Sequence, residues 1–307
     1  MKKIIVYAMC VAFGAVMFTS CSEDELNKES VITVTTVQET PFDKWLTVNF
    51  VNTYNLAFKY RYEDKEADMN FYTVPADYEQ AVELAHLVKY LCLETYDEVG
   101  GIDFTRSNFP KEIFTIGEFE YQNNGTFVLG TAEGGKKIIL MGVNHLDDCI
   151  NDPEMLNHYY FKTIHHEFTH ILNQTKDYAA EFKEITGTGY VADSWSSDPY
   201  STNYLKRGFI SSYAQHSDTE DFAEMLSMYI TNSAEQWNEW LEQADGIYDA
   251  KIQGQSTGKE LILSKLDVVR DYMENSWDID IDKLRASIQR RQKDIAAGRI
   301  DLKDLSI

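Results

Sequence analysis

The spacing of apolar residues changes several times along the chain, and each change marks an element. Residues 4–18 form an almost unbroken apolar run behind Met1, Lys2 and Lys3. The run is too short to span a bilayer comfortably and reads as a secretory signal over 1–20. Residues 21–40 are polar and glutamate-rich with no sustained period, as expected of a tether. Globular structure should begin near Pro41, where Asp43 can cap a short helix carrying Trp45, Leu46, Phe50 and Val51 on one face. Leu56, Phe58, Tyr60 and Tyr62 then alternate with Ala57, Lys59 and Arg61, the period-two pattern of a half-buried strand.

From residue 76 to about 99 the apolar positions Ala81, Leu84, Leu87, Val88, Leu91 and Cys92 recur at helical spacing, and Gly100-Gly101 supplies a stop. Between 113 and 143, three apolar runs are separated by Asn123-Asn124-Gly125 and Glu133-Gly134-Gly135, which predicts a small meander of strands ending in Ile138-Ile139-Leu140-Met141. Asp152-Pro153 offers a cap and a first-turn proline for a long helix. The remainder is predominantly helical, including 259–275 and 282–297, and no internal repeat is visible.

The chain has 307 residues, 44% of them hydrophobic, enough for a sizeable core. Its formal charge is −22, and losing Lys2 and Lys3 with the signal leaves 26 basic against 50 acidic residues, or −24. Such an excess of carboxylates disfavours a nucleic-acid partner, which needs Lys and Arg to displace counterions. Phe18-Thr19-Ser20-Cys21 resembles the bacterial lipobox, making Cys21 the expected lipid attachment site. Ser22-Glu23-Asp24-Glu25 resembles an acidic export signal of surface lipoproteins in Gram-negative bacteria, although a solvated linker looks the same. Cys92 and Cys149 remain for either a disulfide or two buried thiols.

The chemistry concentrates in His166-Glu167-Phe168-Thr169-His170. On a helix, residues i and i+4 share a face, so two imidazoles can reach one zinc ion while Glu167 takes a proton from a water in the open coordination position. Phe161, Ile164, Phe168, Ile171 and Leu172 bury the opposite face. A metzincin would carry Gly and His where Asn173 and Lys176 stand, so the third ligand should be a glutamate from a second helix. Glu220 in Asp218-Thr219-Glu220-Asp221-Phe222-Ala223-Glu224 is the candidate, with Glu224 one turn later able to orient a ligand imidazole. A surface helix rich in acids would show the same spacing.

The segment from Ser212-Tyr213-Ala214-Gln215 through Glu224 resembles the third-ligand region of the protease domain of anthrax lethal factor and of proline-proline endopeptidases. In that group a tyrosine seven residues before the glutamate serves the oxyanion, and Tyr213 stands at that offset from Glu220. Asp43-Lys44-Trp45-Leu46, Tyr54-Asn55, Tyr60-Arg61-Tyr62, the run from Gly130 to Lys137, Val143-Asn144, His165 to His170 and Glu220 to Glu224 resemble the putative zinc-binding metallopeptidase family of bacterial lipoproteins. The resemblance implies an outer-membrane, surface-exposed lipoprotein with one zinc ion. It also implies an α+β zincin-like fold, with a sheet and HExxH subdomain over 41–174 and a helical subdomain over 175–307.

Zincins pair an extended substrate with an edge strand, and the run over 138–143, with Ile139, Leu140 and Met141, is the expected one. His165 projects away from His166 and should be packed or support a ligand rather than bind metal itself; His86, His145, His158 and His216 lack partners at ligand spacing. Asp147-Asp148 and the acids over 278–282 fit turns or helix caps better than a calcium loop. Two functions compete. One is a peptidase acting on peptide or protein substrates; the other is a non-catalytic zincin-fold lipoprotein binding glycan or protein in an outer-membrane nutrient-uptake complex. An intact Glu167 favours the first, since binding alone has no use for a base.

Overall fold

Thr40 caps the first described helix. Its hydroxyl accepts from the backbone N–H of Asp43, and the Asp43 carboxylate accepts from the N–H of Thr40, a reciprocal cap that opens α1 (Pro41–Leu46). The cap is therefore Thr40, with Asp43 reaching back from the third helical position rather than capping as expected. The helix continues through Thr47–Asn52 with a widened turn, whose extra residue shifts the phase: Phe50 stays buried while Val51 is 45% exposed. Val51 thus leaves the face it was expected to share.

The computed structural model describes residues 38–68, 70–123, 125–133, 135–248 and 256–307. The signal segment, Cys21 and nearly all of the expected tether lie outside them. Thr40–Ile307 form one compact unit. Among the described residues, no helix is long and apolar enough to cross a membrane.

β1 (Ala57–Lys59) is flanked by buried Leu56, Phe58 and Tyr60, as the alternation required. Asp77 caps α2 (Tyr78–Val88), which runs on through Lys89–Leu93 into α3 (Glu94–Gly100); Gly101 then takes φ +80°, a conformation that suits glycine, and α4 (Ile102–Asn108) follows. Next come β2 (Glu112–Thr115), the two-stranded pair β3 (Glu120–Tyr121) and β4 (Phe127–Val128), then β5 (Gly130–Glu133) and β6 (Lys137–Leu140).

The sheet order is β1-β2-β6-β5, with β2 parallel to both β1 and β6 and only β5 antiparallel. The expected meander is corrected accordingly. Residues between β2 and β5 leave the sheet to build the β3–β4 hairpin around Phe119 and Phe127, so β6 returns beside β2 in the same direction. The burial explains why: Ile113, Ile138 and Leu140 enter the main core, whereas Phe114, Ile139 and Met141 enter a second cluster on the other face. Strands buried on both faces read as continuous apolar runs, the mark of parallel pairing.

The same order corrects the substrate strand. Ile139 pairs with Phe114 on one side and Thr131 on the other, and Met141 donates to the Leu129 carbonyl. A strand bonded on both edges has no groups left for a guest. β5 is the edge.

Asp152 caps a short helix, Pro153–Leu156, that leads through Asn157–Phe161 into α5 (Lys162–Thr175), which carries the HExxH segment and packs on β5 and β6. After it come α6 (Glu181–Thr186), α7 (Asp218–Thr231), α8 (Ala234–Ala244), α9 (Gly258–Trp277) and α10 (Ile281–Ala296). α7 packs on α5, and α10 returns to α3 through Arg291–Glu94 at 2.7 Å and Arg290–Glu98 at 2.6 Å.

Asp43 also receives both guanidinium nitrogens of Arg61 at 2.7 Å, and that pairing first, with the Thr40 bonds, holds its carboxyl well below the usual range. A depressed folded-state value means stabilisation that is full above about pH 4 and lost as the pH falls through the folded value. Asp43→Ala should therefore lower stability by about 1–2 kcal/mol at pH 7 and progressively less in acid, read by urea unfolding at several pH values.

Candidate metal centre

α5 is amphipathic in an unusual sense, because both of its faces are committed. Ile164, Phe168, Ile171 and Leu172 are buried in the main core, and Phe168 meets Tyr96, Phe104 and Phe109 ring to ring. The other face brings His166 and His170 together, Nε2 to Nε2 at 3.0 Å. Glu220 arrives in the first turn of α7, whose cap Ser217 accepts from the Glu220 N–H. Its Oε2 lies 2.9 Å from His166 Nε2 and 3.2 Å from His170 Nε2. The two helices thus bring together the three side chains proposed from spacing alone.

The donor set suits a divalent cation. Glu224 Oε1 sits 2.8 Å from the remaining His166 nitrogen, Nδ1, so its charge favours a ring proton on that side and, with a metal bound, a lone pair on Nε2. Two imidazole lone pairs and a carboxylate oxygen, all within 4.8 Å of one another, repel unless a cation lies between them. Their mutual spacing near 3 Å is close to that of ligands arranged tetrahedrally about zinc at roughly 2 Å. Without a metal, a proton takes the cation's place. Burial acts to depress His166, but its contacts with Glu220 and Glu224 outweigh that and push it up to about 9. Glu220 is held well below the ordinary range against its own burial by the two imidazoles.

Glu224 is itself fully buried and closely held. Lys162 Nζ lies 2.8 Å from Oε1, and Ser211 Oγ donates to Oε2 at 2.6 Å. Neighbouring Asp221 faces the other way, receiving the Tyr190 hydroxyl at 3.0 Å and Lys265 Nζ at 2.5 Å, with Lys265 wholly buried over the Phe209 ring. Burial works against both charges of that pair, raising Asp221 and lowering Lys265. Sequence reasoning missed Lys162, Ser211 and Lys265. Two signals were present: Lys162 stands four residues before His166, and Lys265 falls on the Ile262, Leu266, Val269 stripe of α9.

Glu167 lines a cleft of about 710 Å³ together with Ala132, His170, Tyr178, Asp218 and Glu220. Burial raises its carboxyl, and the backbone N–H of Ala132 on β5 bonds to it. Tyr213 lies on a turn beside the site, its ring 6.0 Å from that of His166, and burial and the carboxylates around it keep its phenol protonated. His165 is fully buried, 3.0 Å from the Tyr96 hydroxyl, and burial pushes it down to about 3, so it is a packed neutral ring.

Cys92 and Cys149 are buried free thiols. His86 contacts the carbonyl oxygens of Val82 and Asp304, His145 pairs with Glu118, and His216 lies 3.5 Å from Asp193. Asp280 caps α10 and Asp282 pairs with Arg270.

A fold that builds a His-His-Glu cluster on two helices beside a mixed sheet defines a class, and the comparisons agree with it. The family described as putative zinc-binding metallo-peptidase matches residues 35–282, and the chain belongs to that family. A crystal structure of a putative zinc-binding metallo-peptidase from Bacteroides caccae ATCC 43185 is similar over 90% of this chain and 100% of that one, at 38% identity and a TM-score of 0.72. No curated protein matches the chain.

Because His166 is protonated at neutral pH in the metal-free site, a divalent ion must expel that proton. Calorimetry in buffers of different ionisation enthalpy should show release of about one proton per zinc at pH 7, fading as the pH passes about 9. Glu224→Ala removes the group that fixes the His166 ring and should weaken zinc binding by about 10- to 100-fold, measured by competition with a chelator.

Proposed function

We propose that the chain is a zinc-dependent endopeptidase of the gluzincin type, holding one zinc ion through His166, His170 and Glu220 and acting on peptide or protein substrates at the cell surface. The observation that carries this is the shared position of Glu167: one carboxylate touches the edge strand β5 through Ala132 and lines the same cleft as His170 and Glu220. A base, a metal cluster and an edge strand in one cleft are the parts peptide hydrolysis needs.

Bound zinc would supply Lewis acidity toward the scissile carbonyl and toward water. Glu167, its carboxyl raised by burial toward the working range, accepts the proton of the attacking water and passes it to the leaving amine. Tyr213 stays protonated and donates to the oxyanion, where charge appears only in the transition state. Glu224 steadies His166. An extended substrate adds to β5 through main-chain hydrogen bonds, which leaves side-chain preference to the cleft walls. A lipid on Cys21 tethers the enzyme to the outer membrane, a reading supported by the lipobox-like Phe18-Thr19-Ser20-Cys21.

Glu167→Gln should reduce chelator-sensitive cleavage of a peptide library by about 10²- to 10⁴-fold with zinc content unchanged; equal rates in the variant would remove Glu167 as the base. Tyr213→Phe should lower kcat by about 10²-fold while KM stays near its original value. Replacing Cys21 with alanine should abolish incorporation of a labelled fatty acid and move the protein from the membrane to the soluble fraction; unchanged labelling excludes that anchor.

A further inference from the structure

The metal cluster divides its surroundings unevenly along α5, and β5 supplies the ruler. Gly130 lies so close to Thr163 that a Cβ would come within 2.8 Å of its Cγ2; Ala132 reaches Glu167; a Cβ on Gly135 would come within 2.9 Å of Gln174. The strand edge and its hairpin therefore run alongside the helix in the same direction. A chain laid on that edge must pass His166 at one end and the 173–177 region at the other.

These two ends differ in chemistry. Beyond His170 the cleft is polar, walled by Asn173, Gln174, Asp177, Lys183 and Asp218, and Asp218 receives the Tyr178 hydroxyl at 3.0 Å and Lys183 at 3.1 Å. Beside His166 stands an aromatic group instead. The Tyr213 ring lies 6.0 Å from His166, Trp195 meets Tyr213 edge to face at 5.1 Å, and His216 stacks on it at 5.8 Å. Trp195 is partly exposed, so its indole is more than packing for the core.

The segment carrying Trp195 is also fixed in place. Val191 donates to the Gln215 carbonyl at 2.8 Å, Arg207 holds the approach to the segment by donating to the Gly189 carbonyl and to Gln215 Oε1 at 2.7 Å each, and Gln215 Nε2 donates to the Tyr200 carbonyl at 3.0 Å on the far side of Trp195. A tryptophan held on a braced turn beside the oxyanion group is a wall. Large apolar side chains gain by covering it, and glycine does not.

From this we infer that Trp195 is a specificity-determining residue that selects a large apolar side chain at the substrate position next to the scissile bond on the His166 flank. The inference rests on the peptidase reading above. The wall acts on the choice of substrate, and because Trp195 also packs on Tyr213, the test separates selectivity from support of that tyrosine.

The test uses wild type, Trp195→Ala and Trp195→Phe, all zinc-loaded, on peptides varied at the two positions flanking the cleaved bond. Wild type should prefer large apolar residues over glycine by about tenfold or more in kcat/KM at one of the two positions. Trp195→Ala should bring that ratio close to one at that position alone, and Trp195→Phe should restore most of it. A loss of rate shared equally by all peptides would mean that Trp195 only supports Tyr213, and would overturn the inference, as would a wild-type profile flat at both positions. Absence of any chelator-sensitive cleavage by wild type overturns the peptidase reading and this inference with it; a flat profile overturns the inference alone.

Discussion

Two imidazole nitrogens and a carboxylate oxygen, packed about 3 Å apart between α5 and α7, set the terms for the rest of this fold. A metal cation at its centre, or a proton on His166 in its absence, offsets the repulsion between lone pairs at that distance in a medium that screens poorly. The surrounding groups are arranged for that purpose. Glu224 settles the His166 tautomer, while Lys162 and Ser211 hold Glu224. One residue after Glu220, the Asp221–Lys265 pair ties α7 to α9. The buried hydrophobic face of α5 keeps both imidazoles from drifting, and a metal site loses affinity quickly when its ligands wander.

Sheet topology supplies the second half of the account. Parallel pairing of β2 with β6 places an interior strand where a simple meander would have left an edge, and pushes β5 out to meet the active-site helix. The Ala132 amide that touches Glu167 belongs to that outer strand. Under the proposed function, main-chain recognition and proton transfer would meet at that one peptide group.

Much of this was legible in the sequence, and the reasons are physical. Helical period and cap chemistry are local, so the helical stretch from α2 through α3 with its Gly101 stop, the Asp152-Pro153 start, α9 and α10 could be read directly. The i, i+4 spacings of His166 with His170 and of Glu220 with Glu224 fix which side chains share a face. Strand order was not legible, because Ile138-Ile139-Leu140 announces burial on two faces without naming the neighbours. The widened turn that exposes Val51 likewise breaks the period without a local marker. Lys265 shows the opposite case: its place on an apolar stripe was visible, but its meaning depended on Asp221 more than forty residues away.

The central claim is that the cluster grips one divalent cation, and elemental analysis of gently purified protein tests it most directly. About one zinc per chain is predicted, falling to a small fraction in Glu220→Ala with the helical circular-dichroism signal kept. Wild-type protein that carries no zinc and takes up none from a stoichiometric addition would contradict the account.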